Sequence, residues 1–422
     1  MCDTMPKSTD WFWRRESTSN RIEVDEPFYS IADRWNEPWD KLEFKRWALR
    51  LRRALLPREV NLGLVFISSD WIDFAEDIVD VLRSSLGIPT LAGCVSNGVI
   101  SNQFEFERTG GIALGLFCLP GGRIVDLGFS AKESQKGITC DEPGFWRRQF
   151  DPGSEGINGW IVFAEPLHLS VEDLIKSWER DFPNAPIYGG LAHFDSEART
   201  SAVIWNDSVI ADGGVAVGFG GGVKLLGVTA QGCTPIGDAW TVTKANGNVL
   251  ERIGNRPAAT ILEETFQGIG EEMHRRSRGH VFVGLAVDEY LEEFKRGDFL
   301  ARNLLAADPS KGSLAVGAFP RVGQSVQFQI RDGKGASEEL EELIAVFRQE
   351  LEGKRIYGAC LSSCSGRGMG LFGVENRDAA SIYPLITPQA QVGFFGNGEF
   401  GPVGGRNFVH GYTSSVAVFV DV

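Results

Sequence analysis

Hydrophobic positions along the chain fall into short, continuous apolar runs separated by longer stretches of helical period. Leu64-Val-Phe-Ile-Ser68 is uninterrupted in the way of a strand buried on both faces. Asp70 to Leu86 carries apolar residues at helical spacing until Gly87 and Pro89 end it, and a second run, Thr90-Leu-Ala-Gly-Cys94, follows at once. The pattern predicts strand, helix, strand. Upstream, Trp47, Leu51 and Leu55 recur at four-residue spacing, which predicts a helix over 45–56 closed by Pro57. Residues 1–44 show little period but carry Trp11, Trp13, Trp35 and Trp39, and they read as a tryptophan-rich strap packed on the body or on a partner.

The unit then recurs. Trp160-Ile-Val-Phe-Ala164, a helix opening after Ser170, and Pro186-Ile-Tyr-Gly-Gly190 repeat the first copy at constant offset, so that Gly93 and Gly189 correspond. Each copy is followed by Gly-Gly and an apolar strand, Gly110–Phe117 and Gly213–Phe219. A third copy closes the chain: Gln391-Val-Gly-Phe-Phe395 leads to Asn397-Gly398 as Leu91–Val95 leads to Asn97-Gly98. Asn-Gly between apolar runs is a strong hairpin-turn signal. A more divergent stretch from Val281 through Leu314-Ala-Val-Gly317 to Val326–Ile330, followed by a helix over 337–347, reads as a fourth copy. These observations predict an α/β (α+β) architecture of internally repeated β-α-β-β units forming two similar mixed-sheet halves, with a break near Gly232 to Gly237.

Composition narrows the classes. Lys plus Arg is 42 and Asp plus Glu is 56, a net charge of −14 that repels polyanions and excludes nucleic acid as a default partner. Fifty-one glycines among 422 residues exceed the average of about 7%, and they lie inside apolar runs without a three-residue period, so they serve turns and close backbone approach. Seven cysteines without a CxxC pair and five histidines argue against a disulfide framework, a metal site or a bound cofactor. No apolar stretch is long enough for a membrane span, and the N-terminus has no signal-like core. The expectation is a soluble, cytoplasmic chain; a matured organellar one would read alike.

Candidate chemistry gathers in the C-terminal repeat. Phe394–Gly405 is a glycine-rich loop suited to cradling a carboxylate or phosphate, and Glu399 within it needs a cation: Arg367, Arg331 or a ligand's ammonium group. In Cys364-Ser-Gly-Arg-Gly368, Arg367 is placed to present its fork to an anion and to lower the Cys364 thiol pKa. A Cys364–His410 pair oriented by Asn397 is the catalytic alternative. The equivalent turns of the other repeats contribute Cys94, Asn97 and His193, with Gln231 as further polar lining. Gln327, Gln329 and Arg331 alternate onto one strand face, either toward a cleft or toward solvent. The acidic run Ser337–Leu343 reads as a solvated helix face.

Leu62–Ser69, Gly93-Cys-Val-Ser-Asn-Gly98, Tyr188–Ala192, Gln231–Gly237, Gly297–Asn303, Cys364–Gly368, Phe394–Val403 and His410–Ser414 resemble, in order, the FIST N and FIST C domain pair. The resemblance implies a FIST N-like domain over 45–232 and a FIST C-like domain over 233–422. It also implies a small-ligand sensory role, for amino acids or related small anions. Other members place the pair beside signalling domains or behind an F-box in a substrate receptor, and this sequence shows neither. Three functions stay open: a non-catalytic ligand-binding module with a site between the halves, a protein-interaction or assembly factor using the strap and glycine-loop face, and a Cys364 enzyme.

Overall fold

In the computed structural model, residues 28–107, 109–140, 143–150, 153–194, 200–277, 280–291 and 293–422 are described. Chain order begins with β1 (Ser30–Trp35), α1 (Lys41–Ala54), β2 (Leu62–Ser68), α2 (Ala75–Leu86), β3 (Thr90–Ser96), β4 (Gly98–Ser101), β5 (Phe104–Phe106) and β6 (Ile112–Phe117). The second unit comprises β7 (Gly122–Ser130), α3 (Ala131–Thr139), α4 (Phe145–Gln149), β8 (Ile157–Ala164), α5 (Val171–Asp181), β9 (Ile187–Leu191), β10 (Val203–Trp205), β11 (Ser208–Ile210) and β12 (Gly213–Gly221). A third opens with β13 (Val223–Ala230) and is interrupted by β14 (Cys233–Asn246), β15 (Val249–Ile253), β16 (Arg256–Pro257), α6 (Ala258–Gly268), α7 (Gly270–Ser277), β17 (Val281–Ala286), β18 (Phe299–Asp308), β19 (Ser313–Val316) and β20 (Ser325–Arg331). It resumes with α8 (Gly333–Glu350), β21 (Ile356–Cys364), α9 (Gly368–Phe372), α10 (Arg377–Ile382), β22 (Gln391–Gly396), β23 (Glu399–Val403), β24 (Arg406–His410) and β25 (Ser414–Asp421).

The mixed α/β repeat expected from the sequence is present, and the strand orders group it as three units plus one inserted sheet. The unit sheets run β1-β6-β2-β3-β10-β11, β7-β12-β8-β9-β23-β24 and β13-β25-β21-β22-β4-β5. Each unit therefore lends its hairpin to a neighbour: β4 pairs with β22, β10 with β3 and β23 with β9. The loan is cyclic. Phe117, Phe219 and Phe419 occupy equivalent positions and meet at the centre, with ring centroids 5.0 and 5.2 Å apart. Phe66 and Phe163, at equivalent positions of β2 and β8, form a second ring cluster with Phe394 of β22, at 4.9 to 5.6 Å.

The recurring glycines sit where the parallel strands press together. A Cβ on Gly93, Gly189 or Gly393 would lie 1.7, 2.1 or 2.0 Å from the carbonyl oxygen of Val65, Val162 or Leu361 on the adjoining strand. The Asn-Gly pairs do not make the expected hairpin turns. They are corners where the chain leaves its own sheet, and the hairpin tips lie instead at Asn102, Asn206 and Gly404-Gly405, all at positive φ.

The stretch read as a fourth copy forms a separate sheet of order β14-β20-β17-β18-β19-β15-β16, with β17 antiparallel to both β18 and β20. A parallel return would need a crossover helix, and the described residues of the charged segment between β17 and β18 form none. The helix after it, α8, belongs to the third unit: Leu340, Ile344 and Phe347 pack with Val228, Ala359 and Val418. The expected strap is also more regular than its sequence suggested. Ser30–Trp35 is an edge strand on β6, and Asp40 caps α1 by accepting from the Leu42 and Glu43 amides at 2.9 Å. Trp35, Trp39 and Trp47 pack on the chain's own body, with Trp39 stacked on Phe74; Trp11 and Trp13 lie outside the described residues. Among the described residues no helix is long and apolar enough to cross a membrane.

Candidate functional site

Ser68 and Cys364 end β2 and β21, and Glu165 is the residue just past the equivalent strand β8. Each backbone N–H donates at 2.9 Å to the carbonyl that opens the returning strand, on Gly111, Gly213 and Thr413 respectively. The side chains diverge. Ser68 Oγ accepts the Gly111 amide at 2.8 Å, and Glu165 accepts the Leu167 and His168 amides, so both are satisfied locally. The Cys364 thiol instead meets Glu399, the first residue of β23.

Around that pair the third unit meets the inserted sheet. Arg367 is fully buried and grips Asp378 of α10 with both arms, Nε to Oδ2 at 2.6 Å and Nη2 to Oδ1 at 2.8 Å, while Nη1 donates to the Tyr412 carbonyl at 3.3 Å. Arg331, at the end of β20, donates through Nη2 to the Gly366 carbonyl at 2.9 Å and lies 4.6 Å from the Tyr412 ring centroid. Glu399 Oε2 accepts the Thr413 amide at 3.0 Å, and Glu339 of α8 accepts the Gly232 amide. Two buried atoms in this cluster have no partner: Glu399 Oε1 and Arg331 Nε. Tyr412, whose ring lies against the Arg331 guanidinium, has φ 63° and stands between exposed Gly411 and buried Thr413.

Burial governs the protonation states. It pushes the Glu399 carboxyl up to about 8, although the Thr413 amide, the Cys364 thiol and the two arginines pull the other way. Burial and then the Glu399 charge push the Cys364 thiol up to about 12. This reverses the expected activation by Arg367, whose charge is already engaged by Asp378. Glu339 rises to about 7, again by burial. Arg331 is lowered by burial and then by repulsion from Arg367.

The structure thus unites four of the expected residues, Cys364, Arg367, Glu399 and Arg331. It places the others differently. Asn97, His193 and Asn397 are the three equivalent corner residues, and their amides donate in a cycle to the carbonyls of Phe395, Val95 and Leu191 at 3.0, 2.9 and 3.2 Å. Cys94 lies in the central core beside Ala92 and Phe394, its thiol raised by burial. Gln231 clamps β18, donating to the Phe299 carbonyl at 2.7 Å and accepting the Ala301 amide at 3.0 Å. His410 Nε2 lies 3.0 Å from the Gly401 carbonyl, and burial lowers the ring to about 4. The Cys364–His410–Asn397 arrangement is not formed: Cys364 is turned to Glu399, and Asn397 is exposed.

Sequence reasoning missed Asp378, Glu339, Tyr412 and Thr413. Glu339 belongs to the acidic run expected to be solvated, yet it is 4% exposed because α8 turns that position onto the corner at Gln231 and Gly232, where it accepts the Gly232 amide. Gln329 and Arg331 are likewise buried rather than solvent-facing, while Gln327 donates to the Gly237 carbonyl at 2.8 Å.

Comparison with known proteins places this geometry in a family. The FIST N domain matches residues 61–256 and the FIST C domain residues 258–402. The uncharacterized protein Rv0628c of Mycobacterium tuberculosis is 33% identical over 375 residues, covering 89% of this chain and 95% of that protein. The uncharacterized protein Mb0898c of Mycobacterium bovis is 31% identical over 370 residues, covering 88% and 93%. Among solved structures, T. maritima PurL complexed with ATP aligns at 10% identity over 94% of this chain and 71% of that one, with a TM-score of 0.22. With both domain matches in sequence order and spanning most of its length, the chain belongs to the FIST family.

Proposed function

We propose that the chain is a small-ligand-binding, sensory module whose ligand is an amino acid or a related zwitterion, seated beside Arg331 and Glu399. FIST domains are associated with sensory and signalling modules, which sets the class. The observation that carries the specific reading is the pair of buried, unpartnered atoms, Arg331 Nε and Glu399 Oε1, in one cluster. Buried polar atoms in native proteins are nearly always satisfied, so an unpartnered donor and an unpartnered carboxyl oxygen in the same cluster mark a place for a molecule bearing both complements. A ligand carboxylate answers the guanidinium, and a ligand ammonium answers the carboxyl.

Entry is through Tyr412. A bulky residue in the left-handed region stores on the order of 1–3 kcal/mol of backbone strain, and its ring lies over Arg331. Moving it toward the extended region relieves the strain and uncovers Arg331, the group that would meet the ligand carboxylate.

Protonation makes the proposal testable. Glu399 is largely a neutral acid at pH 7, so an ammonium group that pairs with it must displace a proton. Zwitterion affinity should rise by about tenfold per pH unit below about 8 and level off above, with proton release on binding. A simple carboxylate, which meets only Arg331, should weaken over the same range. Isothermal titration calorimetry of an amino-acid panel and matched carboxylates, in buffers of different ionisation enthalpy, reads both trends. Absence of binding by either group at every pH would sink the reading.

A further inference from the structure

The outer face of α1 is a surface that neither the fold nor the proposed ligand site uses. The helix buries Phe44, Trp47, Ala48 and Leu51 against the first sheet. Its opposite side carries exposed Leu42; Leu49, two turns on, is half-buried with part of its side chain against the core, and Leu56 follows at the same spacing just past the helix end. Leu42 and Leu56 are 56% and 59% exposed. Basic residues flank the stripe: the helix holds Lys41, Lys45, Arg46, Arg50, Arg52 and Arg53 against the single acid Glu43. Lys41 is paired with Asp77 and Arg46 with Glu43. Among the described residues Lys45, Arg50 and Arg53 have no carboxylate partner, and all three are exposed.

A scattered exposed leucine needs no explanation, and a charged helix face is ordinarily just solvated. Here both occur in register, on a stripe about 20 Å long, in a chain whose net charge is −14. Concentrated cations on an acidic protein attract a complementary acidic surface, and the leucines between them supply the apolar anchors of helix-to-helix docking. An anionic membrane fits less well. Glu76, Asp77 and Asp80 are exposed on α2, the neighbour to which Lys41 is bridged, and would be pressed against the same bilayer, whereas a single narrow helix can lie along α1 without meeting them.

We propose that the outer face of α1 docks an acidic amphipathic helix of a partner protein, its apolar residues at i, i+3, i+4 and i+7 set along Leu42, the exposed edge of Leu49 and Leu56, and its carboxylates on Lys45, Arg46, Arg50 and Arg53. The probe is a fluorescent synthetic helix of leucine and glutamate with that spacing, titrated against the full chain by anisotropy at low and moderate salt. Expected are saturable binding that weakens with salt, at least tenfold weaker binding by a composition-matched scrambled peptide, and at least tenfold loss in the triple variant Lys45→Glu, Arg46→Glu, Arg53→Glu. Leu42→Gln should lose severalfold without altering charge. All four positions are exposed, and unchanged circular dichroism confirms folding of the variants.

Equal binding of the scrambled peptide would reduce the surface to general charge attraction and overturn the proposal. Tighter capture by phosphatidylserine vesicles than by the helix would assign the face to membranes instead. A dimer in sedimentation equilibrium that the triple variant dissociates would make a second copy the occupant, and would overturn it equally.

Discussion

Glu399 is a carboxyl group placed where ionisation is costly, and this has a measurable consequence for stability. Its folded-state pKa of about 8 lies above the ordinary 4.5, so between those values the folded chain holds more protons than the unfolded one. Stability from this group is present at low pH and is lost as pH rises through the window. Glu339 and Glu105, each raised to about 7 chiefly by burial, act in the same direction. His410 acts oppositely: lowered from 6.5 to about 4, it contributes stability above its ordinary value that is lost as pH falls. Urea unfolding of Glu399→Gln against wild type isolates the one group. The variant should gain on the order of a few kcal/mol relative to wild type between about pH 5 and about pH 9. A constant difference across that range would place the proton elsewhere. Glu399, Cys364, Arg367 and Arg331 were legible in the sequence because glycine-rich loops and a cleanly alternating strand frame them. Asp378 and Glu339 were not, since nothing local distinguishes a helical carboxylate that will face a buried guanidinium from one that will face water. The direction of the Cys364 shift was illegible for the same reason: it depends on burial and on which partner Arg367 takes.

At the scale of elements, three glycines fix how closely paired strands approach. The recurrence of Gly93, Gly189 and Gly393 at matching places in the three copies was visible along the chain, and the repeated near-coincidence of a Cβ with a neighbouring carbonyl is its cause. The Asn-Gly corners escape a local reading because a hairpin turn is a local object, whereas the acceptor for the Asn97 amide is Phe395, far along the chain. No window of sequence contains both. Gly393→Ala should cost about 3 kcal/mol or more, because β21 and β22 must separate to admit the methyl group. Gly370→Ala, in α9 with no heavy atom near its added Cβ, should be neutral or stabilise by up to about 1 kcal/mol. Equilibrium denaturation in urea compares the two at equal m-value. Equal midpoints would show that the strands yield more readily than their spacing implies.

For the whole molecule, the exchanged hairpins make the three units mutually dependent. Unit one supplies β4 to the edge of β22, unit three supplies β23 to β9, and unit two supplies β10 to β3. The boundary between the FIST N and FIST C matches, between residues 256 and 258, runs through the inserted sheet, where β15 pairs with both β14 and β16 and also with β19 beyond the boundary. A fragment of residues 1–256 therefore leaves the β9 edge bare, strands its own β4–β5 hairpin, and removes Phe394 and Phe419 from the central ring clusters. Unpaired strand edges and a depleted core predict a collapsed state without fixed packing. Expressed alone, that fragment should lack a cooperative thermal transition and near-ultraviolet dichroism. Mixing it with residues 257–422 should restore both, with slow amide exchange returning at Leu191, whose N–H donates to the Gly398 carbonyl at 2.8 Å. A sharp, reversible transition in the isolated fragment would mean that the borrowed hairpins decorate a self-sufficient domain, and the cyclic exchange would then account for the orientation of the units and not for their stability.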